Sequence, residues 1–142
     1  MLQHSTRYGI STTIPLPYEQ ALQRSREALA KEGFGVLTEI DVAATLRKKL
    51  NVDFRRYIIL GACNPPLAHR ALQADLDIGL LLPCNVIVYA AEDPSHSVVA
   101  ALDPLEALGL SGNEALRSVA QEVRGRLERV LADVGGSIEI AD

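Results

Sequence analysis

Between Leu116 and Val134 the apolar side chains recur at helical spacing: Leu116, Val119, Ala120, Val123, Leu127, Val130, Leu131 and Val134 fall on one stripe. A helix with one long apolar face needs a surface of matching size to bury it. Most of the rest of the chain is patterned to supply strands. Tyr57-Ile58-Ile59-Leu60-Gly61-Ala62 is a continuous apolar run and marks a central strand covered on at least one face. Thr6 to Ile14, rich in β-branched residues, reads as a first strand stopped by Pro15 and Pro17, with Pro17 suited to the first turn of a helix. Tyr18, Ala21, Leu22, Ala28 and Leu29 continue that helix until Gly33 stops it.

Phe34 to Val42 alternates as a second strand, and Asp41 is placed to cap a short helix from Val42 to Leu50. Asn64 followed by Pro65 is a cap and first-turn pair for a helix running to about Ala74. Leu80–Leu82 and Cys84–Ala90 read as one long strand or as two pieces broken at Pro83. Glu92-Asp93-Pro94-Ser95 turns the chain, and Ser97–Leu102 returns as a strand. Ser111 with Glu114 offers a capping box for the last helix, and Gly135-Gly136 ends it. These elements define an α+β fold: a single mixed, largely antiparallel sheet of about five strands with two main helices. Residues 1–142 read as a single domain, because composition does not shift and no repeat or linker intervenes.

Composition narrows the function. Four Tyr, two Phe and no Trp make an aromatic-lined pocket or a base-stacking platform unexpected. A net charge of −4 argues against non-specific affinity for phosphate backbones, so no nucleic-acid partner is expected. Five of the fourteen basic residues nevertheless gather in Arg47-Lys48-Lys49 and Arg55-Arg56. They read as a solvated helix end whose charge suits the C-terminal dipole, with an anion patch as the alternative. No signal peptide is recognised at the N-terminus, and the longest apolar stretch, Ile78 to Ala91, is broken by Pro83 and Asn85 and is too short to span a bilayer. The expectation is a cytoplasmic protein with no membrane partner and with its two cysteines reduced.

Those two cysteines stand in the most apolar third of the chain, each followed by asparagine. The surrounding motifs are long and ordered. Gly33-Phe34-Gly35-Val36-Leu37-Thr38-Glu39-Ile40-Asp41-Val42, Tyr57-Ile58-Ile59-Leu60-Gly61-Ala62-Cys63-Asn64-Pro65-Pro66-Leu67-Ala68 and Gly79-Leu80-Leu81-Leu82-Pro83-Cys84-Asn85-Val86 closely resemble the family known as domain of unknown function 302, over Tyr18 to Val134. The resemblance implies a β-α-β(4)-α order, laid out like one repeat of the TATA-box-binding protein. It implies no activity, and it does not carry DNA binding over, since function lives in sites and not in folds.

The candidate site is therefore Cys63, Asn64, Cys84 and Asn85, binding a small ligand, with Cys63 and Cys84 as ligands to a soft metal ion such as Cu(I) or Zn²⁺ if the two strand ends are neighbours. Cys63 just before a helix start is placed where the dipole favours a thiolate. The alternative is that both cysteines are small buried hydrophobes in a non-catalytic interaction protein; a homodimer is expected, pairing the open sheet faces or an edge strand of two copies, with Tyr8, Tyr57 and Tyr89 as large side chains for such a surface. A thiol-dependent enzyme is the third reading. It needs a general base, for which Glu39, Asp41 and His69 are the candidates. His69 serves as a third metal ligand only if it turns inward; His4 and His96 receive no role. No cofactor is indicated by any motif.

Overall fold

The structure, a computed structural model, describes residues 3–135. The chain runs through β1 (Gln3–Thr6), β2 (Gly9–Ile14), α1 (Tyr18–Lys31), β3 (Gly35–Asp41), α2 (Val42–Leu50), β4 (Tyr57–Cys63) and α3 (Pro65–Ala74). A 3-10 helix over Leu76–Leu81 leads into β5 (Cys84–Ala90), β6 (Ser97–Leu102), α4 (Pro104–Gly109) and α5 (Arg117–Gly135). Among the described residues the strands form one sheet in the order β1-β2-β6-β5-β4-β3, and every pairing is antiparallel. Without the short β1 and the helices inserted in connections, the order is the β-α-β(4)-α expected, and α1 and α5 are the two main helices.

Alternation along β5 shows how the sheet is covered. Cys84, Val86 and Val88 are buried, whereas Asn85, Ile87 and Tyr89 between them are not. The buried set faces α1 and α5, which lie side by side across β2, β5 and β6. The stripe read from the sequence is the buried face of α5: Val119, Ala120, Val123, Leu127, Val130, Leu131 and Val134 are all in the core. Removing water from these side chains is the main source of stability, at about 25 cal/mol per Å² of apolar surface. The opposite sheet face carries no helix from this set.

Local signals fix the corners. Asp41 Oδ1 accepts from the Ala44 N–H at 2.9 Å and starts α2. Gly33, at φ +83°, lets the chain leave α1 in the left-handed region. Asp103, 4% exposed, accepts from Leu105 N–H at 3.0 Å to cap α4, and its other oxygen accepts from Arg124 on α5. That buried, paired carboxylate ties the end of β6 to the long helix.

Several expectations are corrected. Thr6–Ile14 is not one strand: the chain turns at Arg7-Tyr8, where Thr6 Oγ1 accepts from the Tyr8 N–H at 3.2 Å, making a β1–β2 hairpin. His4 thus falls in β1. Leu80–Leu82 is no strand. Asp75 Oδ1 accepts from the Asp77 N–H at 3.0 Å and starts the 3-10 helix instead, and Pro83, which has no N–H for a ladder, delays β5 to Cys84. The Leu82–Pro83 peptide is cis. Ser111 and Glu114 form no capping box: Asn113 accepts from Ala115 N–H at 2.9 Å, and Ser111 Oγ donates back to the Leu108 carbonyl at 2.7 Å. Gly135 closes α5, and Gly136 lies outside the described residues.

Gly61 has no room for a side chain. A Cβ there would collide with Thr38 Oγ1 across the β3–β4 ladder and lie 3.0 Å from Pro83 Cγ. Gly61→Ala is expected to cost about 1–3 kcal/mol in urea unfolding, the range for an overpacked site. Adding Thr38→Ala should restore part of that loss, and a double variant no more stable than Gly61→Ala alone would show that the collision is not the cause.

Candidate functional site

The motif around Cys63 is built outward from Asn64. Its side chain accepts from the Leu67 N–H at 3.3 Å, capping α3, and its Nδ2 donates to the Glu32 carbonyl at 3.4 Å. The same carbonyl accepts from Arg126 Nη1 on α5 at 3.0 Å, and the Glu32 carboxylate accepts from Arg129 Nε at 3.0 Å. Gly33 lies so close that a Cβ there would be 3.0 Å from Asn64 Nδ2. Asn64 therefore joins the end of α1 to the start of α3 at a carbonyl that Arg126, from the middle of α5, also meets, and both ends of its carboxamide are engaged.

Beside this junction the helices and the sheet end do not close. Cys63 and Ala62 at the end of β4 and Cys84 at the start of β5 form the floor of a cleft of about 280 Å³. Leu67, Ala68, Ala71 and Leu72 of α3 make one wall, and Val119 and Val123 of α5 another. Leu82 and Pro83 lie along the return to β5, and Phe34 and Leu37 come from the start of β3. The space exists because Ala62, Ala68 and Ala71 are small where larger side chains would fill it. Leu37 reaches the mouth because the β3–β4 register shifts between Val36 and Thr38, a bulge that re-aims the side chain between them.

The two strand ends are neighbours: Ala62 pairs with Cys84 in the β4–β5 ladder. Both thiols line the cleft and are free. Cys84 is 7% exposed, whereas Cys63 is half-buried. Burial first, and the nearby Cys63 second, push the Cys84 thiol from 9.0 up to about 11. Cys84 is therefore a neutral thiol at physiological pH.

Asn85 is not part of this cleft. It faces the opposite side of the sheet, is exposed, and borders grooves shared with Tyr8 and Leu102. Water satisfies a carboxamide in that position, so an apolar run around it demands no buried partner. His69 is exposed on α3. Glu39 pairs with Arg26, and Asp41 is spent on the α2 cap. None of the three lines the cleft, and no group of three or more His, Cys, Asp or Glu suited to a metal occurs among the described residues. Tyr57 and Tyr89 stack at 5.2 Å on the open face, where Tyr8 borders the same groove.

The model of the domain of unknown function DUF302 matches residues 10–134, and the chain belongs to that family. The structure is also similar to the crystal structure of an uncharacterized conserved protein DUF302 from Bacillus stearothermophilus, with a TM-score of 0.82 and 29% sequence identity over 89% of this chain and 98% of that one. No curated protein matches the chain. Among the described residues no helix is long and apolar enough to cross a membrane.

The unequal burial of the thiols predicts their chemistry. Iodoacetamide should label Cys63 well before Cys84 in the native protein, with both labelled equally in denaturant; equal native rates would contradict the geometry. Cys84 also makes stability pH-dependent. Below its unfolded value of 9.0 the thiol is protonated in both states, and its contribution is fully present. As pH rises through 9.0 toward about 11, the unfolded thiol loses its proton first, so stability falls and the contribution is gone above the folded value. The loss is about 3 kcal/mol at most. Tyr18 and Tyr57, also raised mainly by burial, act in the same direction. The fall in urea midpoint across this window should therefore be shallower, though not abolished, in Cys84→Ala.

Proposed function

We propose that the protein binds a small, uncharged, apolar molecule in the cleft floored by Cys63 and Cys84 and acts as a carrier or sensor of it. The observation that supports this is the chemistry of the walls. Asn64 is the polar side chain among them, and its oxygen and nitrogen are committed to Leu67 and Glu32. A charged or strongly polar ligand would lose its hydration there without replacement, at a cost of several kcal/mol. At about 280 Å³ the cleft is at the small end of ligand pockets. Both thiols then serve as soft, polarisable contacts, and Asn64 as the part that holds the walls in place.

A second reading rests on one observation, that two thiols line the same cleft. They are the donors a soft ion such as Cu(I) selects. Against it stands the state of Cys84: deprotonating a thiol held near 11 costs about 5 kcal/mol at neutral pH, which the metal bond has to offset. The thiol-enzyme reading has less support, because no candidate base borders either sulfur.

Titration with a neutral fluorescent apolar probe, N-phenyl-1-naphthylamine, tests the proposal. The wild-type protein should bind it saturably. Ala68→Phe, which places a ring in the mouth of the cleft on a half-buried helix position, should weaken binding at least tenfold while circular dichroism and the melting temperature hold. No binding by the wild type, or equal binding by Ala68→Phe, would sink the idea. Stoichiometric Cu(I) retention lost on Cys63→Ser would favour the second reading instead.

A further inference from the structure

Apart from the cleft, the least satisfied part of the molecule is the excursion from β3 through α2 to the start of β4. No residue of α2 is buried, although Val42, Ala43, Leu46 and Leu50 make one apolar stripe along it. Leu50 is 65% exposed and Phe54, in the segment that follows, is 49% exposed. β3 is exposed along nearly its whole length. Val42, Ala43 and Leu46 are half-buried where α2 rests on β3 and β4, but among the described residues no part of the stripe is fully covered, so the packing that usually stabilises a protein helix is incomplete here.

This arm is continuous with the open face of the sheet. Ile40 of β3 pairs across the ladder with Ile59, and Ile59 with Ile87. The Phe54 ring lies 6.2 Å from that of Tyr57, which stacks on Tyr89. The strand positions on this face, from Thr38 and Ile40 to Val98 and Ala100, include no charged residue. Charge is instead divided between arm and body. Residues 42–56 hold five basic groups and one acidic, a net +4, so the remaining residues carry −8 of the total −4. Arg47 is paired with Asp53 and Arg56 with Glu19, whereas Lys48 and Lys49 have no ion-pair partner among the described residues.

We infer that two copies of this chain associate about a two-fold axis through their open sheet faces, with the basic β3–α2 arm of each laid against the acidic body of the other. An uncharged apolar face is self-complementary, since bringing two together desolvates no charge, and a basic arm on an acidic body is attracted to a second copy in both directions at once. Size agrees with this. Five strands at about 4.8 Å spacing and six residues at about 3.3 Å each give a face of about 480 Å² in projection. The arm helix adds roughly 100 Å² more, before side-chain relief, approaching the about 800 Å² that each partner contributes to a standard interface. The assembly leaves the cleft reading untouched and assigns Asn85 to the border of the interface and not to the ligand site.

Sedimentation equilibrium on the full chain tests this. The wild type should have about twice the 15.3 kDa chain mass at micromolar concentration. Leu50→Asp/Phe54→Asp should be monomeric with an unchanged circular dichroism spectrum. Lys48→Glu/Lys49→Glu, which reverses two solvated charges in the last turn of α2 and is used once its circular dichroism spectrum matches the wild type, should raise the dimer dissociation constant at least tenfold. A wild type that stays monomeric at about 100 µM, where even weak dimers form, would overturn the inference. So would a dimer indifferent to the charge reversal and to any folded arm variant. A monomer that binds a single-stranded oligonucleotide through Lys48 and Lys49 would also overturn it and give the arm to a polyanion.

Discussion

One-sided burial governs this molecule. The apolar stripe of α5 and the buried residues of α1 can be removed from water only against a sheet, and one pair of helices covers only one face of it. Both the cleft and the open face follow from that asymmetry. On the covered side, α1 and α5 pack across β2, β5 and β6, and at the ends of β4 and β5 small residues leave the cleft. On the uncovered side, the alternate residues of the same strands make a second surface with different chemistry. Neighbours in sequence such as Cys84 and Asn85 thus belong to different sites.

Asn64 links the two scales. Capping α3 is a local task that many residues perform, and Asp41, Asp103 and Asn113 all cap by accepting a backbone N–H. Asn64 differs because its nitrogen also reaches the Glu32 carbonyl at the end of α1, where Arg126 of α5 meets the same oxygen. A carboxylate would repel that carbonyl, and a hydroxyl is too short to serve both ends. Gly33 is constrained from the same point, by its left-handed backbone and by the nearness of Asn64.

Much of this fold was legible in residues. The α2 boundaries, the Asn64-Pro65 start of α3 and the Ser97–Leu102 strand follow from caps and alternation. α4 was missed although Asp103-Pro104 repeats the cap-and-proline signature of Asn64-Pro65, because Leu102 to Leu110 is too short for a helical period to show. The strand read over Leu80–Leu82 failed because three leucines have no periodicity, and the capping aspartate that decides their conformation lies five residues earlier. Of the site, the cysteines drew notice as rare residues beside turns. Ala62, Ala68 and Ala71 did not, since alanine in a sequence signals helix or core and never empty space. Nor does a single strand's pattern say which of its faces is covered, so Asn85, a polar residue in an apolar run, reads as needing a partner beside Cys84 although it faces water.

The pairing of Ala62 with Cys84 has one more consequence. The cleft owes its chemistry to the parity of a strand. Were β5 to slide by one residue along β4, the sulfur would leave the floor and a carboxamide would take its place, turning an oily cavity into a hydrogen-bonding one without any change of sequence. Gly61, wedged between Thr38 and Pro83, sits one rung from that pairing, where the ladder has the least freedom to move. The same steric lock that keeps the strands aligned therefore also decides what kind of molecule the cleft can hold.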